Sequence, residues 1–168
     1  LRFWLVRGAA GFRIDVAHGM IKVDGLPDVV HHSSTMSGQD SPDDVKTQES
    51  EDELIARLEV ENPFWGQPGV HEINKRFRKI LDEYDERVMC GEAWVHPISR
   101  MARWVRPGEY HQTFNFGYLE TPWNKEKLHA VVTESLNAFG SVGAPSTWVL
   151  SNHDVIRHAT RMGYDEIP

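Results

Sequence analysis

Gly11-Phe12-Arg13-Ile14-Asp15 is the stretch whose reading decides the fold: a short run of strand-forming residues that ends in a carboxylate. Two more segments repeat its design, Met89-Cys90-Gly91-Glu92 and Trp148-Val149-Leu150-Ser151-Asn152-His153-Asp154. Carboxylates at the C-terminal ends of successive strands are how an α/β barrel assembles an active site from residues far apart in sequence. One βα unit takes roughly 30 to 40 residues. The gap from Asp15 to Glu92 therefore holds one unit plus a long loop, and the gap from Glu92 to Asp154 holds two.

Working outward, helical and strand patterns alternate. Arg2 to Arg7 reads as the end of a helix, with Gly8 to Gly11 turning into the first strand. After Asp15 a long connection runs from about Val16 to Pro63, and its stretch from about 31 to 53 is polar enough to be a surface loop. Leu54 to Val60 reads as a short helical turn. Ile73, Phe77, Ile80, Leu81 and Tyr84 recur at steps of three and four, so they share one helix face. A strand follows around Val88 to Cys90, then a shorter helix from Ile98 to Val105 stopped near Pro107-Gly108. Thr113 to Phe116 reads as a strand. Asn124 is placed to cap the next helix, with Leu128, Val131, Val132, Leu136 and Phe139 as its buried stripe, and Ser146 to Leu150 reads as the last strand. Strand and helix alternating without hairpin signals implies a parallel sheet.

Composition narrows the class. Hydrophobic residues make up 40% and charged residues 26%, the ordinary globular range. A net charge of −7 argues against nucleic acid as a partner, which needs a basic face. No apolar run approaches the roughly 20 residues that span a bilayer. The single cysteine, Cys90, excludes an internal disulfide and favours a reducing compartment, so the expected location is cytoplasmic.

An aspartate, a glutamate and a second aspartate on three strands suit glycosidic bond cleavage. A retaining glycosidase needs one carboxylate to attack the anomeric carbon and one carboxylic acid to protonate the leaving oxygen. A third carboxylate can hold sugar hydroxyls and favour the positively charged transition state. Arg13 lies two residues before Asp15, so on a strand both face the same side, and a guanidinium there keeps the aspartate ionised. Glu92 lies between Gly91 and Ala93-Trp94, an apolar setting that raises a carboxyl toward an acid's working range. His153 is placed to donate to a sugar hydroxyl. Trp94 is the aromatic best placed to line the pocket, with Phe114 and Phe116 next. Arg157, three residues past Asp154, is a candidate to hold its carboxylate or a ligand anion. His31-His32 has no carboxylate or cysteine at ligand spacing and reads as solvated loop histidines, so no metal site is expected.

In this order, G-F-R-I-D, G-E-A-W and S-N-H-D resemble three signature regions of the α-amylase superfamily, glycoside hydrolase family 13. The intervening Phe64 to Ile73, His111 to Phe116 and Asp15 to Gly19 are similar to the bacterial α-glucosidase branch. The resemblance implies that Asp15 is the nucleophile, Glu92 the general acid/base and Asp154 the transition-state stabiliser, with Arg13 and His153 in support and His18, three residues past the nucleophile, as a candidate acceptor-site contact. It implies a retaining hydrolase acting on α-glucosides or short oligosaccharides, without an organic cofactor. A complete barrel takes about 250 residues, against 168 here, and the chain opens on Leu1. It is therefore expected to be a fragment of a single (β/α)8 catalytic domain, about the fourth to seventh βα units. Two other readings stay open. One is a transglycosylase of the same family, of trehalose synthase or sucrose-acting type; Val16, directly after the nucleophile, resembles relatives that cleave α-1,6 links. The other is a non-catalytic carbohydrate-binding or transporter-associated relative.

Overall fold

Four strands form one parallel layer in chain order, β1 (Gly11–Ile14), β2 (Val88–Gly91), β3 (Gln112–Asn115) and β4 (Thr147–Trp148). The computed structural model describes residues 1–28, Ser50, Glu53 and residues 63–163. The expected polar loop, apart from Ser50 and Glu53, the helical turn at 54–60 and His31-His32 lie outside the described residues.

Helices connect the strands: α1 (Arg2–Leu5) before β1, α2 (Val70–Leu81) before β2, and α3 (Ile98–Ala102) with a 3-10 turn (Arg103–Val105) before β3. Two more, α4 (Phe116–Glu120) and α5 (Lys125–Ser141), lie between β3 and β4, and α6 (His158–Arg161) follows β4. Sequential parallel neighbours, each joined through helix, are the order of a barrel arc.

Register between the first two strands positions the site. Arg13 pairs with Cys90 and Ile14 with Gly91, so Asp15 and Glu92 leave the sheet side by side. The ladder continues past the strands, with Glu92 N–H donating to the Ile14 carbonyl at 2.9 Å and Ala17 N–H to the Glu92 carbonyl at 2.8 Å. Two glycines allow the close packing behind this. A β-carbon at Gly11 would strike the Val88 carbonyl oxygen, and one at Gly91 would strike the buried ring of Tyr110.

Several local expectations need correcting. Phe116 does not end β3 but starts α4, because the Asn115 side chain accepts the Tyr118 N–H at 3.1 Å and caps a new helix. Tyr84 lies past the end of α2, and the helix buries Asn74 between Val70 and Leu81. On α5, Asn124 caps as expected, accepting Lys127 N–H at 2.9 Å. Its buried side chains are Val131, Ser135 and Phe139, one per turn, whereas Leu136 is 60% exposed. Ser135 is buried because its hydroxyl donates to the Val131 carbonyl at 2.6 Å and accepts from the Asn115 amide at 2.8 Å. The last strand is two residues long, and Leu150 is exposed.

The outer layer is braced by a buried charge. Glu109, 1% exposed, accepts from His71 at 2.6 Å and Asn74 at 3.2 Å on α2, and from Arg106 Nε at 3.0 Å and Nη2 at 2.7 Å. Arg78 adds a bond to the Glu109 carbonyl at 3.0 Å. Burial pulls the carboxyl toward its neutral form, but His71, Arg106 and Asn74 together hold it below the usual range. Among the described residues no helix is long and apolar enough to cross a membrane.

Removing one partner of a buried charge network leaves the rest uncompensated, at a cost of about 3 to 5 kcal/mol. Glu109→Ala in the intact protein should lower unfolding stability by that order in a denaturant titration. Lys75→Ala, which breaks only the exposed pair with Glu72, should stay within about 0.5 kcal/mol. A depressed folded pKa gives stability that is present above the unfolded value and is lost as pH falls through the folded one. The alanine variant should therefore show a flatter stability profile below about pH 4.

Candidate active site

The site grows from the C-terminal ends of β1 and β2. Arg13 and Asp15 emerge on one face, as residues two apart on a strand must, and the guanidinium Nη1 lies 2.5 Å from Asp15 Oδ1. Its other terminal nitrogen, Nη2, donates to Glu92 Oε2 at 2.7 Å. One arginine thus spans both carboxylates. Asp15 is mostly exposed, its side chain 68% accessible, whereas Glu92 is 4% exposed.

Glu92 is held from several directions. Besides Arg13, its Oε2 accepts the Val16 backbone N–H at 3.2 Å, and its Oε1 accepts the Trp94 indole N–H at 3.3 Å. Val16 takes a left-handed conformation, φ 43°, to present that N–H. For a β-branched residue this is a strained geometry, and strain of this kind gathers at functional sites. No sequence signal marks a backbone donor, so this contact was not foreseen.

The two carboxyl groups are hydrogen-bonded to each other, and their environments push them apart. Asp15 is held below the usual carboxylate range, first by its hydrogen bond with Glu92 and then by the Arg13 and His153 charges. Glu92 is raised, first by burial and then by its hydrogen bond with Asp15, against the opposing pull of Val16, Arg13 and Trp94. Opposite shifts in adjacent carboxyls separate a base or nucleophile from an acid. Cys90, one strand position below Gly91, is no rival nucleophile, because burial pushes its thiol up to about 11.

The third motif follows β4. Asn152 Oδ1 accepts the backbone N–H groups of Asp154 at 3.1 Å and Val155 at 3.2 Å, turning the chain at the strand end. His153 Nε2 is 3.4 Å from Asp154 Oδ1, and both side chains are substantially exposed. His153 also makes a small electrostatic contribution at Asp15.

The remaining candidates separate. Trp94 lies beneath Glu92, 3% exposed, with its ring stacked on Phe116 at 3.8 Å between centroids. His18 is fully buried, its ring 5.1 Å from that of Trp65, and its Nδ1 accepts the Trp94 backbone N–H at 3.4 Å. Arg157 turns to the Asn152 carbonyl at 2.7 Å rather than to the Asp154 carboxylate. Among the described residues no group of three or more His, Cys, Asp or Glu is arranged to hold a metal ion.

Known proteins supply the comparison. The family model described as "Alpha amylase, catalytic domain" matches residues 1–167. A salivary alpha-glucosidase of Anopheles gambiae is 28% identical over 97% of this chain and 27% of its own length. Maltase A1 of Drosophila melanogaster is 28% identical over 97% of the chain and 29% of its own. The amino acid transporter heavy chain SLC3A1 of Homo sapiens is 25% identical, over 97% and 23% respectively. The chain thus spans less than a third of the length of these relatives. Among solved structures, trehalose-6-phosphate hydrolase of Bacillus licheniformis superposes with a TM-score of 0.66 at 21% identity, over 99% of this chain and 28% of that one. The trehalulose synthase MutB of Pseudomonas mesoacidophila gives 0.69 at 18% identity, over 99% and 28%. These two likenesses fix the fold as an arc of a (β/α)8 barrel. With the strand order, the paired carboxylates and the family match in agreement, the chain belongs to the α-amylase family, glycoside hydrolase family 13, as part of its catalytic domain.

Proposed function

We propose that the protein carrying this chain is a retaining α-glucosidase that releases glucose from short α-linked glucosides, with the chain forming part of a single catalytic domain. The observation that carries this reading is the Asp15–Arg13–Glu92 bridge, with one carboxyl lowered and the other raised. The alpha-glucosidase and maltase names among the relatives support the substrate class.

In the first step an Asp15 oxygen attacks the anomeric carbon as the bond to the leaving oxygen breaks. Glu92 gives its proton to that oxygen, so a glycosyl ester forms and the aglycone departs neutral. In the second step Glu92 takes a proton from water, whose oxygen attacks the anomeric carbon and releases Asp15. Asp154, with His153 beside it, stabilises the positive charge that develops on the sugar. Retention needs the two carboxyl groups about 5 to 5.5 Å apart. The hydrogen bond between them must therefore open to admit a sugar. Asp15, exposed and held through Arg13, is the partner free to swing, while three donors pin Glu92.

A transferase is the second reading, favoured by the likeness to MutB and to an alpha-glucosyl transfer enzyme. The same carboxylates serve both, and only the second-step acceptor differs.

Asp15→Asn in the intact protein should cut the turnover of p-nitrophenyl α-glucoside by about 10⁴-fold or more, since the covalent step is lost. Proton NMR of p-nitrophenyl α-glucoside hydrolysis should show the α anomer of glucose first; an initial β anomer would exclude retention. Product analysis with excess sugar acceptor separates the readings, because a transferase yields new disaccharides in place of free glucose. The pH profile of kcat/KM should have an acid limb below the ordinary aspartate value and a basic limb above the ordinary glutamate value. Arg13→Met should raise the acid limb, because Asp15 loses a cation that favours its ionised form.

A further inference from the structure

Glu92 has a partner whose place in the structure differs from that of a sugar platform. We propose that Trp94 is a positioning residue that fixes the carboxyl plane of Glu92 through its indole N–H and does not act by touching the sugar. The inference rests on the glucosidase reading for its kinetic consequences, and on geometry alone for the pairing itself.

The terminal torsion of a glutamate is broad and roughly two-fold, so a buried carboxyl does not choose its plane unaided. Here the two oxygens are assigned from different sides. Oε2 takes Arg13 Nη2 at 2.7 Å and the Val16 N–H at 3.2 Å, and Oε1 takes Trp94 Nε1 at 3.3 Å. An indole nitrogen donates only, so it keeps Oε1 as an acceptor whether or not Glu92 carries a proton.

The indole is itself immobilised. Its ring stacks on Phe116 with a 20° interplanar angle, and its backbone N–H is tied to His18 Nδ1. Phe116 is fixed in turn as the first residue of α4, whose cap is Asn115. The Asn115 amide donates to Ser135 at 2.8 Å and to Ser146 at 2.9 Å. Buried links thus run from α5 and the start of β4 to the acid on β2. A platform for a pyranose would present an open ring face, whereas this ring is 3% exposed and packs on another aromatic.

Trp94→Phe, made in the intact protein, keeps an aromatic ring for Phe116 and removes the N–H together with part of the indole. Maltose has a poor leaving group and needs a well-aimed proton, so its kcat/KM, which reports the steps through formation of the glycosyl ester, should fall by roughly 10-fold, part of the usual general-acid contribution. An activated aryl glucoside needs little protonation in that step, so its kcat/KM should fall by no more than about 2-fold. The basic limb of the maltose profile should move to higher pH, because a donor to the charged form of Glu92 has gone. Phe116→Leu retains the N–H but loosens the ring, and it should show the same maltose-selective loss to a smaller degree.

A readout without turnover decides the pairing separately. The tryptophan emission of the wild type minus that of Trp94→Phe should titrate with pH, and the titration should vanish in Glu92→Gln. If the wild type cleaves neither glucoside but this titration is seen, the glucosidase reading fails and the pairing stands. If KM rises equally for both substrates, or the titration is absent or survives Glu92→Gln, the indole does not work through Glu92 and the proposal is overturned.

Discussion

Glu92 is a carboxyl group taken almost wholly out of water, and the structure around β1 and β2 is arranged to make that tolerable. An isolated buried carboxylate is costly unless it is paired and hydrogen-bonded. Arg13, the strained Val16 N–H and the Trp94 indole together meet that demand. Arg13 carries a second duty, because its other nitrogen holds Asp15. The two carboxyls share one guanidinium, and burial weighs on the enclosed Glu92 more than on the exposed Asp15, so Glu92 is raised and Asp15 is held below the ordinary carboxylate range. This is the asymmetry that a nucleophile and an acid need.

Parallel register makes the arrangement possible. Pairing Arg13 with Cys90 brings Asp15 level with Glu92, two residues further along each strand. The strands come close because Gly11 and Gly91 have no β-carbon to meet the Val88 carbonyl and the Tyr110 ring. Behind the site, polar side chains lock the elements that hold it. Asn115 caps α4 and reaches Ser135 and Ser146, while Glu109 clasps α2 to the turn before β3. Buried hydrogen-bonded groups of this kind fix one packing among many that an apolar core would tolerate.

Apolar surface is left beside the outer strands. Phe3 and Trp4 near β1 are 57% and 58% exposed, and Trp148, Leu150 and Ile156 around β4 are likewise open. Four strands are half of an eight-stranded barrel, and β1 and β4 each have one side unpaired among the described residues. In relatives more than three times as long as this chain, a closed barrel has further strands to cover such edges.

The sequence by itself determined the parallel alternation of strand and helix, the placing of Asp15 and Glu92 just past two strands, the family, and the pairing of Arg13 with Asp15. The alternation follows from hydrophobic period and capping chemistry, the Arg13–Asp15 pairing from two-residue strand geometry, and the family from the resemblance of three short motifs in order. Only the tertiary structure decided that Trp94 and His18 lie under the site, that Val16 bends to aim its N–H, and that Glu109 gathers His71, Asn74 and Arg106. It also moved Leu136 out of the core and put Ser135 in, because a helix buries the residues its neighbours meet. Those choices depend on which surfaces come together across distant segments. A residue pattern states that a side chain is apolar or charged, but the partner that satisfies it is chosen by packing.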